Sequence, residues 1–360
     1  MKTIFKAFTG GGLELQNHIV MAPMTRSRAI DNLPNDLMTR YYEQRSSAGL
    51  IITEGTAPEP GGSGYARIPG IYTESQVLGW KNVTDAVHRG GAKIFLQLMH
   101  TGRIGHVDNL PGEGRLVGAS EERASGKIFT DTRNEQEYSI PVALTTSGVR
   151  EIVAAFVKAA QNAVRAGFDG VELHAANGYL LEQFLNPHVN NRQDEYGGNI
   201  ENRARLILEV AEQTARAIGE KKLGIRFSPY STLGDLKPYD DEEVLNTYRY
   251  LSEKLNGIGI AYIHISAGPG IPQKTFDAIR TGFSGAIILC NNLSPETAEE
   301  KLQEGFADLV AFGRNFLANP DLIKRIKTGA PLNQPDYTTL YTPGEKGYTD
   351  YPVLELAATA

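Results

Sequence analysis

Short, continuous apolar runs alternate along this chain with segments of helical period. The runs are His18–Met24, Leu50–Gly55, Lys93–Leu98, Val171–His174, Leu223–Phe227, Ala261–Ile265, Ala286–Leu289 and Asp308–Gly313. Apolar residues follow one another in these runs instead of alternating with polar ones. That pattern suits parallel strands buried on both faces. Between runs, Val149, Ile152, Val153, Phe156, Ala160, Ala163 and Val164 recur at helical spacing, with Ser147 in the capping position. Asn199 precedes a helix that carries Leu206, Val210 and Ala217 and that Gly219 closes. Ser294-Pro295-Glu296 and Asn319-Pro320-Asp321 each place a cap, a first-turn proline and an acid in the favoured order, and Gly329 ends the last helix.

Eight strand–helix units predict an α/β fold, a (β/α)8 TIM barrel. The alternative is a doubly wound open sheet, which should show a glycine fingerprint after its first strand. Here the first run ends Ala22-Pro23-Met24-Thr25-Arg26. Neither Gly10-Gly11-Gly12 nor Gly61-Gly62-Ser63-Gly64 opens a helix after a strand, and there is no Walker A or His-Glu-x-x-His motif. Two segments break the alternation. Residues from about 104 to 146 follow the third strand and predict a long lid or subdomain. A tail from about 331, with Tyr337, Tyr341, Tyr348 and Tyr351, predicts packing across the barrel mouth or side. The rest of 1–360 reads as one barrel domain.

Composition narrows the class. Lys+Arg 36 against Asp+Glu 42 gives a net charge of -6, which argues against non-specific nucleic-acid binding. The single cysteine, Cys290, rules out an internal disulfide framework or a cysteine-ligated cluster. With no signal-like start and no membrane-length apolar stretch, the expectation is a cytoplasmic protein that engages no membrane.

In a (β/α)8 barrel the chemistry sits at the C-terminal strand ends. Those ends carry Thr25; Glu54, Gly55 and Thr56; Gln97, Met99 and His100; His174, Asn177 and Tyr179; Arg226; Cys290-Asn291-Asn292; and Phe312-Gly313-Arg314. No lysine lies there, which disfavours a Schiff-base aldolase. Carboxylates are too sparse for a glycosidase pair. What remains is a set of neutral hydrogen-bonding groups with two arginines. Such a set recognises a polar, planar, phosphorylated ligand and leaves the hard chemistry to a cofactor. Gly313-Arg314 and Asn291-Asn292 fall in the loops that often bind phosphate in this fold, although a plain turn with a surface arginine reads the same way. His100 and His264 read as structural, and Cys290 as a buried packing residue.

Six segments then carry a resemblance. Asn17–Arg26, Gln97–Arg103, His174–Leu180, Asn190–Gly198, Phe312–Arg314 and Gly347–Pro352 occur in the order of the old yellow enzyme family of FMN-dependent ene-reductases. They resemble most its branch of bacterial N-ethylmaleimide and pentaerythritol tetranitrate reductases. The resemblance implies FMN at the barrel mouth, reduced by NADPH or NADH and reoxidised by an activated alkene. It implies that Thr25 bonds the flavin O4, Gln97 the pyrimidine edge, and Arg226 the N1–O2 side. Asn292, Gly313 and Arg314 would hold the phosphate, and Pro23, Met24 and Gly55 would complete the cradle. His174 and Asn177 would grip a carbonyl or nitro oxygen, Tyr179 would deliver a proton, and Tyr65, Met99 and Tyr348 would line the substrate pocket. Close relatives often carry tryptophan at the place of Met99, which implies a changed substrate range, and some bacterial relatives carry histidine at that of Asn177, so nitrate-ester and nitroaromatic reduction is the weaker expectation. A flavin carrier or sensor without turnover is the alternative from another class, and Tyr179 speaks against it. The expected state is a monomer or a dimer.

Overall fold

In the computed structural model, which describes residues 2–112, 114–266, 268, 270–290 and 292–354, eight parallel strands close into a barrel. We number them β1 (Ile19–Met21), β2 (Leu50–Ile52), β3 (Lys93–Leu98), β4 (Gly170–Ala175), β5 (Leu223–Phe227), β6 (Tyr262–Ser266), β7 (Ala286–Cys290) and β8 (Leu309–Phe312). The (β/α)8 barrel expected from the apolar runs is the fold. Every residue of β4 and β5 is buried, which is why their runs do not alternate. Each strand leads to a helix: Asp36–Glu43, Glu74–Arg89, Thr146–Arg165, Ile200–Ile218, Asp241–Ile258, Gln273–Gly282, Pro295–Gln303 and Leu322–Thr328 in turn.

The core has two shells. The outer one packs strand residues such as Leu96, Leu173 and Ile225 against helix residues such as Val153, Phe156, Leu206 and Leu251. Each such fully buried side chain contributes roughly 1.5–3 kcal/mol. The inner shell fills the barrel with Val20, Ile52, Phe95, Tyr262 and Ile288. An antiparallel pair, Phe8–Gly10 with Leu13–Leu15, contributes Phe8, Leu13 and Leu15 to that shell. The glycine run at 10–12 is its turn. A Cβ on Gly11, which has φ 60°, would meet the carbonyl oxygen of Ala261 at 2.3 Å, just before β6 begins. The pair therefore plugs the N-terminal end of the barrel and leaves the opposite end open.

Two caps differ from the expectation. The helix after β3 starts at Thr146 because Thr145, not Ser147, accepts the amide of Gly148. Asn319 closes the short helix Arg314–Ala318 instead of opening the next one, which begins at Leu322 after Asp321. Asn199 and Ser294 do cap their helices, accepting from Asn202 and Thr297.

After β3 the excursion forms an antiparallel pair, Lys127–Thr130 with Asn134–Glu137, and a short parallel pair, Val117–Gly118 with Val142–Ala143. Arg103 ties its base to the β5 loop by donating to the carbonyl of Asp235 at 2.8 Å. The tail is held by arginines. Arg28 donates to the carbonyls of Thr339 and Leu340 at 2.8 and 2.7 Å, and Arg26 to that of Gly347 at 2.7 Å.

Candidate active site

Strand β4 ends at Ala175, and the chain turns sharply through Asn177 and Gly178, with φ of 56° and 83°. Asparagine tolerates that left-handed geometry, and glycine is required next to it. A Cβ on Gly178 would strike the carbonyl oxygen of Leu233 at 2.3 Å. Glu182 pins the turn from beneath. Its carboxylate accepts from the amide of Gly178 at 2.7 Å and from the hydroxyls of Ser228 and Tyr248 at 2.7 and 3.2 Å. Ser228 in turn accepts the amide of Asn177 at 2.7 Å. Burial pushes the Glu182 carboxyl up to about 7, against the pull of these donors.

Parallel register aligns the chemistry of neighbouring strands. His174 lies opposite Arg226, and Arg226 opposite His264. Beneath them Gln97 donates to Glu172 at 2.8 Å, and His264 Nδ1 lies 2.9 Å from the other oxygen of Glu172. Burial would raise Glu172, but the charges and hydrogen bonds of its neighbours, His264 first, hold it below the ordinary value. His174 goes the other way. Burial, then the nearby Arg226 and His264, holds it well below an ordinary histidine, so the ring is neutral.

Two cavities open at this end. The first, of about 780 Å³, is lined by Pro23, Met24, Asn177, Arg226, Cys290, Asn292, Gly313 and Arg314, among others. Its size lies within the roughly 300–1,000 Å³ of small-molecule and cofactor sites. The second, of about 730 Å³, lies between the excursion, the tail and Thr25, and is lined by Tyr65, Phe129, Tyr138, Tyr179 and Tyr341. Tyr337 belongs to both walls. The Tyr179 hydroxyl donates to that of Tyr65 at 3.3 Å, and its ring meets His174 edge-on at 4.8 Å. Burial pushes the Tyr179 phenol up to about 12.

The first cavity fits FMN. Arg226 Nε, in the wall of this cavity, is buried with no partner among the described residues, a state that calls for a ligand, and so is His174 Nδ1 on the neighbouring strand. Arg226 Nη2 reaches Ser266 Oγ at 3.2 Å and is thereby aimed. The nearest atom to a Cβ on Gly313 would be Met24 Sδ at 3.6 Å, so the backbone there is open to a phosphate. Arg314 is exposed beside it.

The site residues expected from sequence fall into three groups. Pro23, Met24, Asn177, Arg226, Asn292, Gly313 and Arg314 share the first cavity, while Thr25, Tyr65 and Tyr179 share the second. Asn291 lies outside the described residues. Gly55, Gln97, Met99 and His174 are buried and line neither; the Met99 thioether fills the space above Gly55, where a Cβ would meet Sδ at 2.4 Å. Tyr348 stands apart from the cavity-lining residues. It is wholly buried, stacked on Tyr41 at 4.0 Å with the Arg28 guanidinium 4.8 Å from its ring centre, and lines neither cavity. The tail tyrosines on the cavity walls are Tyr337 and Tyr341. Cys290 also differs from expectation, since it is only half buried and opens on the first cavity. Glu172, Glu182 and Ser228 were missed. Glu172 left a visible signal: a carboxylate inside a continuous apolar run must have buried partners.

The family model described as NADH:flavin oxidoreductase / NADH oxidase matches residues 3–333. A probable flavin mononucleotide-dependent alkene reductase of Leishmania infantum is 40% identical over 358 residues, 98% of this chain and 97% of that one. The solved structure of morphinone reductase in complex with tetrahydroNAD superposes with a TM-score of 0.94 at 43% identity, covering 99% of this chain and 98% of that one. The old yellow enzyme homologue from Zymomonas mobilis gives 0.93 at 37% identity, over 98% and 100%. Among the described residues no helix is long and apolar enough to cross a membrane.

Proposed function

This chain belongs to the NADH:flavin oxidoreductase / NADH oxidase family, that of the old yellow enzymes, and on that premise we propose that it reduces the carbon–carbon double bond of α,β-unsaturated carbonyl and nitro compounds. It is an FMN-dependent oxidoreductase that draws on NADPH or NADH. When bound, FMN supplies the hydride chemistry that these side chains lack.

The protein's own part is positioning and proton transfer. Arg226 offers a fixed cation, aimed by Ser266, to the ligand in the first cavity. Glu172 occupies the amide nitrogen of Gln97 and leaves its carbonyl oxygen to accept. Thr25, in the wall of the second cavity, is a further hydrogen-bonding group. Asn292, Gly313 and Arg314 hold the phosphate end, where a guanidinium and an open backbone both suit an anion. His174 and Asn177 donate to the substrate's carbonyl or nitro oxygen. A neutral imidazole serves there, because it polarises the oxygen without surrendering its proton outright. That polarisation makes the β-carbon electron-poor. Tyr179 keeps its proton at neutral pH and delivers it to the α-carbon as negative charge gathers there.

The observation that carries this reading is the contact of Tyr179 with His174, which sets a proton donor beside the group that grips the activating oxygen. A carrier or sensor of flavin requires neither. The substrates are small molecules; a cytoplasmic setting and a monomeric or dimeric state belong to the same proposal. The test is direct: load the protein with FMN, reduce it anaerobically with NADPH, add 2-cyclohexen-1-one and analyse the product. Recovery of the oxidised flavin spectrum with formation of cyclohexanone supports the reading. Flavin that reduces but is not reoxidised by the enone sinks it.

A further inference from the structure

We propose that Cys290 is an activated thiol which adds covalently to electron-poor alkenes when the first cavity is empty, and that bound FMN shields it. This goes beyond the proposed function and rests on it only for the identity of the shielding ligand.

The geometry is that of a nucleophile with an oriented base. Cys290 ends β7, is half buried and opens on the cavity. It pairs in register with Ser266, and His264 lies two residues earlier on β6, hence on the same face. His264 is wholly buried, and its Nδ1 is held by Glu172 at 2.9 Å. The other ring nitrogen, Nε2, therefore points away from Glu172, and it has no hydrogen-bond partner among the described residues. On that face the neighbouring strand carries Cys290. From the cavity side, Arg226 Nη2 lies 3.8 Å from the sulfur. Base, orienting carboxylate and nucleophile thus follow the logic of an activated cysteine, with a cation added.

Electrostatics agree with the geometry. Burial alone would push the Cys290 thiol up, but the neighbouring His264 and the Arg226 charge outweigh it and leave the thiol below its ordinary value. Burial would likewise lower His264, and Glu172 reverses that. Both shifts run toward thiolate and imidazolium, the reactive ionic form, and against what burial alone would do.

In the reaction, a carbon–sulfur bond forms at the β-carbon as the π bond breaks. The electron pair moves to the α-carbon, which takes from His264 the proton that the thiol gave up, and His264 is left as the neutral imidazole. Neither oxidant nor reductant is consumed. The empty protein is then inactivated by the class of molecule that the loaded protein reduces.

Cys290 is the only cysteine in the chain, so a single mass increment reports on it alone. The full chain, loaded with FMN and stripped of it, is exposed to N-ethylmaleimide at slightly acidic pH without reductant, and the adduct is timed by intact mass. The same is done on the chain unfolded in urea. A thiol activated by the fold reacts about tenfold or more faster in the folded, stripped chain than in the unfolded one. Rebinding FMN, followed by its visible spectrum, slows the reaction by a similar factor. His264→Asn, or Glu172→Gln where that folds better, moves the pH–rate inflection upward. The proposal is overturned by a folded rate no faster than the unfolded one, by FMN that binds without protecting, or by an inflection that stays in place. Failure of FMN to bind would sink the proposed function instead, and the folded-to-unfolded ratio would still decide this one.

Discussion

The ring of Tyr179 meets that of His174 edge-on at 4.8 Å, and the contact joins two residues separated by a left-handed turn. The turn is what brings them together. His174 is fixed by the β4 ladder, whereas Tyr179 is placed by Asn177 and Gly178 and by the buried carboxylate under them. A strand alone would send successive side chains to opposite faces. The predictions below start from that arrangement.

Gly178→Ala should damage the site more than its size suggests. The position has φ 83°, and the added carbon would lie 2.3 Å from a backbone oxygen of Leu233. Strain of about 1–3 kcal/mol falls on the turn itself. We expect lower thermal stability and weaker binding of phenolic ligands, read by melting curves and by spectral titration of the FMN-loaded protein. A variant that binds phenols as tightly as the parent would show that the turn does not organise the oxygen grip.

Glu182 makes stability depend on pH in a definite sense. Its carboxyl is raised in the folded protein to about 7, from an ordinary 4.5. The folded chain therefore holds this proton more tightly than the unfolded chain. Its contribution is fully present below about pH 4.5 and is lost as pH rises to about 7. Glu182→Gln should flatten the fall in stability across that window, measured by urea unfolding at several pH values. The same variant turns an amide nitrogen on one of three donors, which should lower stability by about 1–3 kcal/mol. An unchanged pH slope would remove Glu182 as its source.

Two of the tail tyrosines, Tyr341 and Tyr348, should separate. Tyr348→Phe removes a hydroxyl that is buried without a partner among the described residues, so stability should hold or rise by roughly 0–1 kcal/mol, with enone turnover unchanged. Tyr341→Ala removes part of the second cavity's wall and should raise KM for bulky enones by about tenfold, the worth of one modest apolar contact. Steady-state kinetics on both variants checks this. The reverse pattern would restore Tyr348 as the substrate contact.

Much of this molecule could be read from the chain, for identifiable reasons. The barrel strands were legible because burial on both faces forces continuous apolar runs, as in Val171–Leu173 and Ile287–Leu289. Asn199 and Ser294 were legible as caps because the contact each makes is three residues away. The tail was not, because it has no period. Whether Tyr341 or Tyr348 reaches a cavity depends on Arg26 and Arg28, which bind its carbonyls from about 300 residues earlier. The partners of Cys290 were equally hidden. Glu172, Arg226 and His264 come from three other strands, and only the closed barrel makes them neighbours.

The central claim is that Tyr179 gives the proton that completes alkene reduction, and its two half-reactions test it most directly. Stopped-flow absorbance on FMN-loaded Tyr179→Phe should show reduction by NADPH at the parent's rate. Reoxidation by 2-cyclohexen-1-one should be slower by about 10²-fold or more, the usual worth of a positioned general acid. A variant that reoxidises with the enone as fast as the parent would contradict the account.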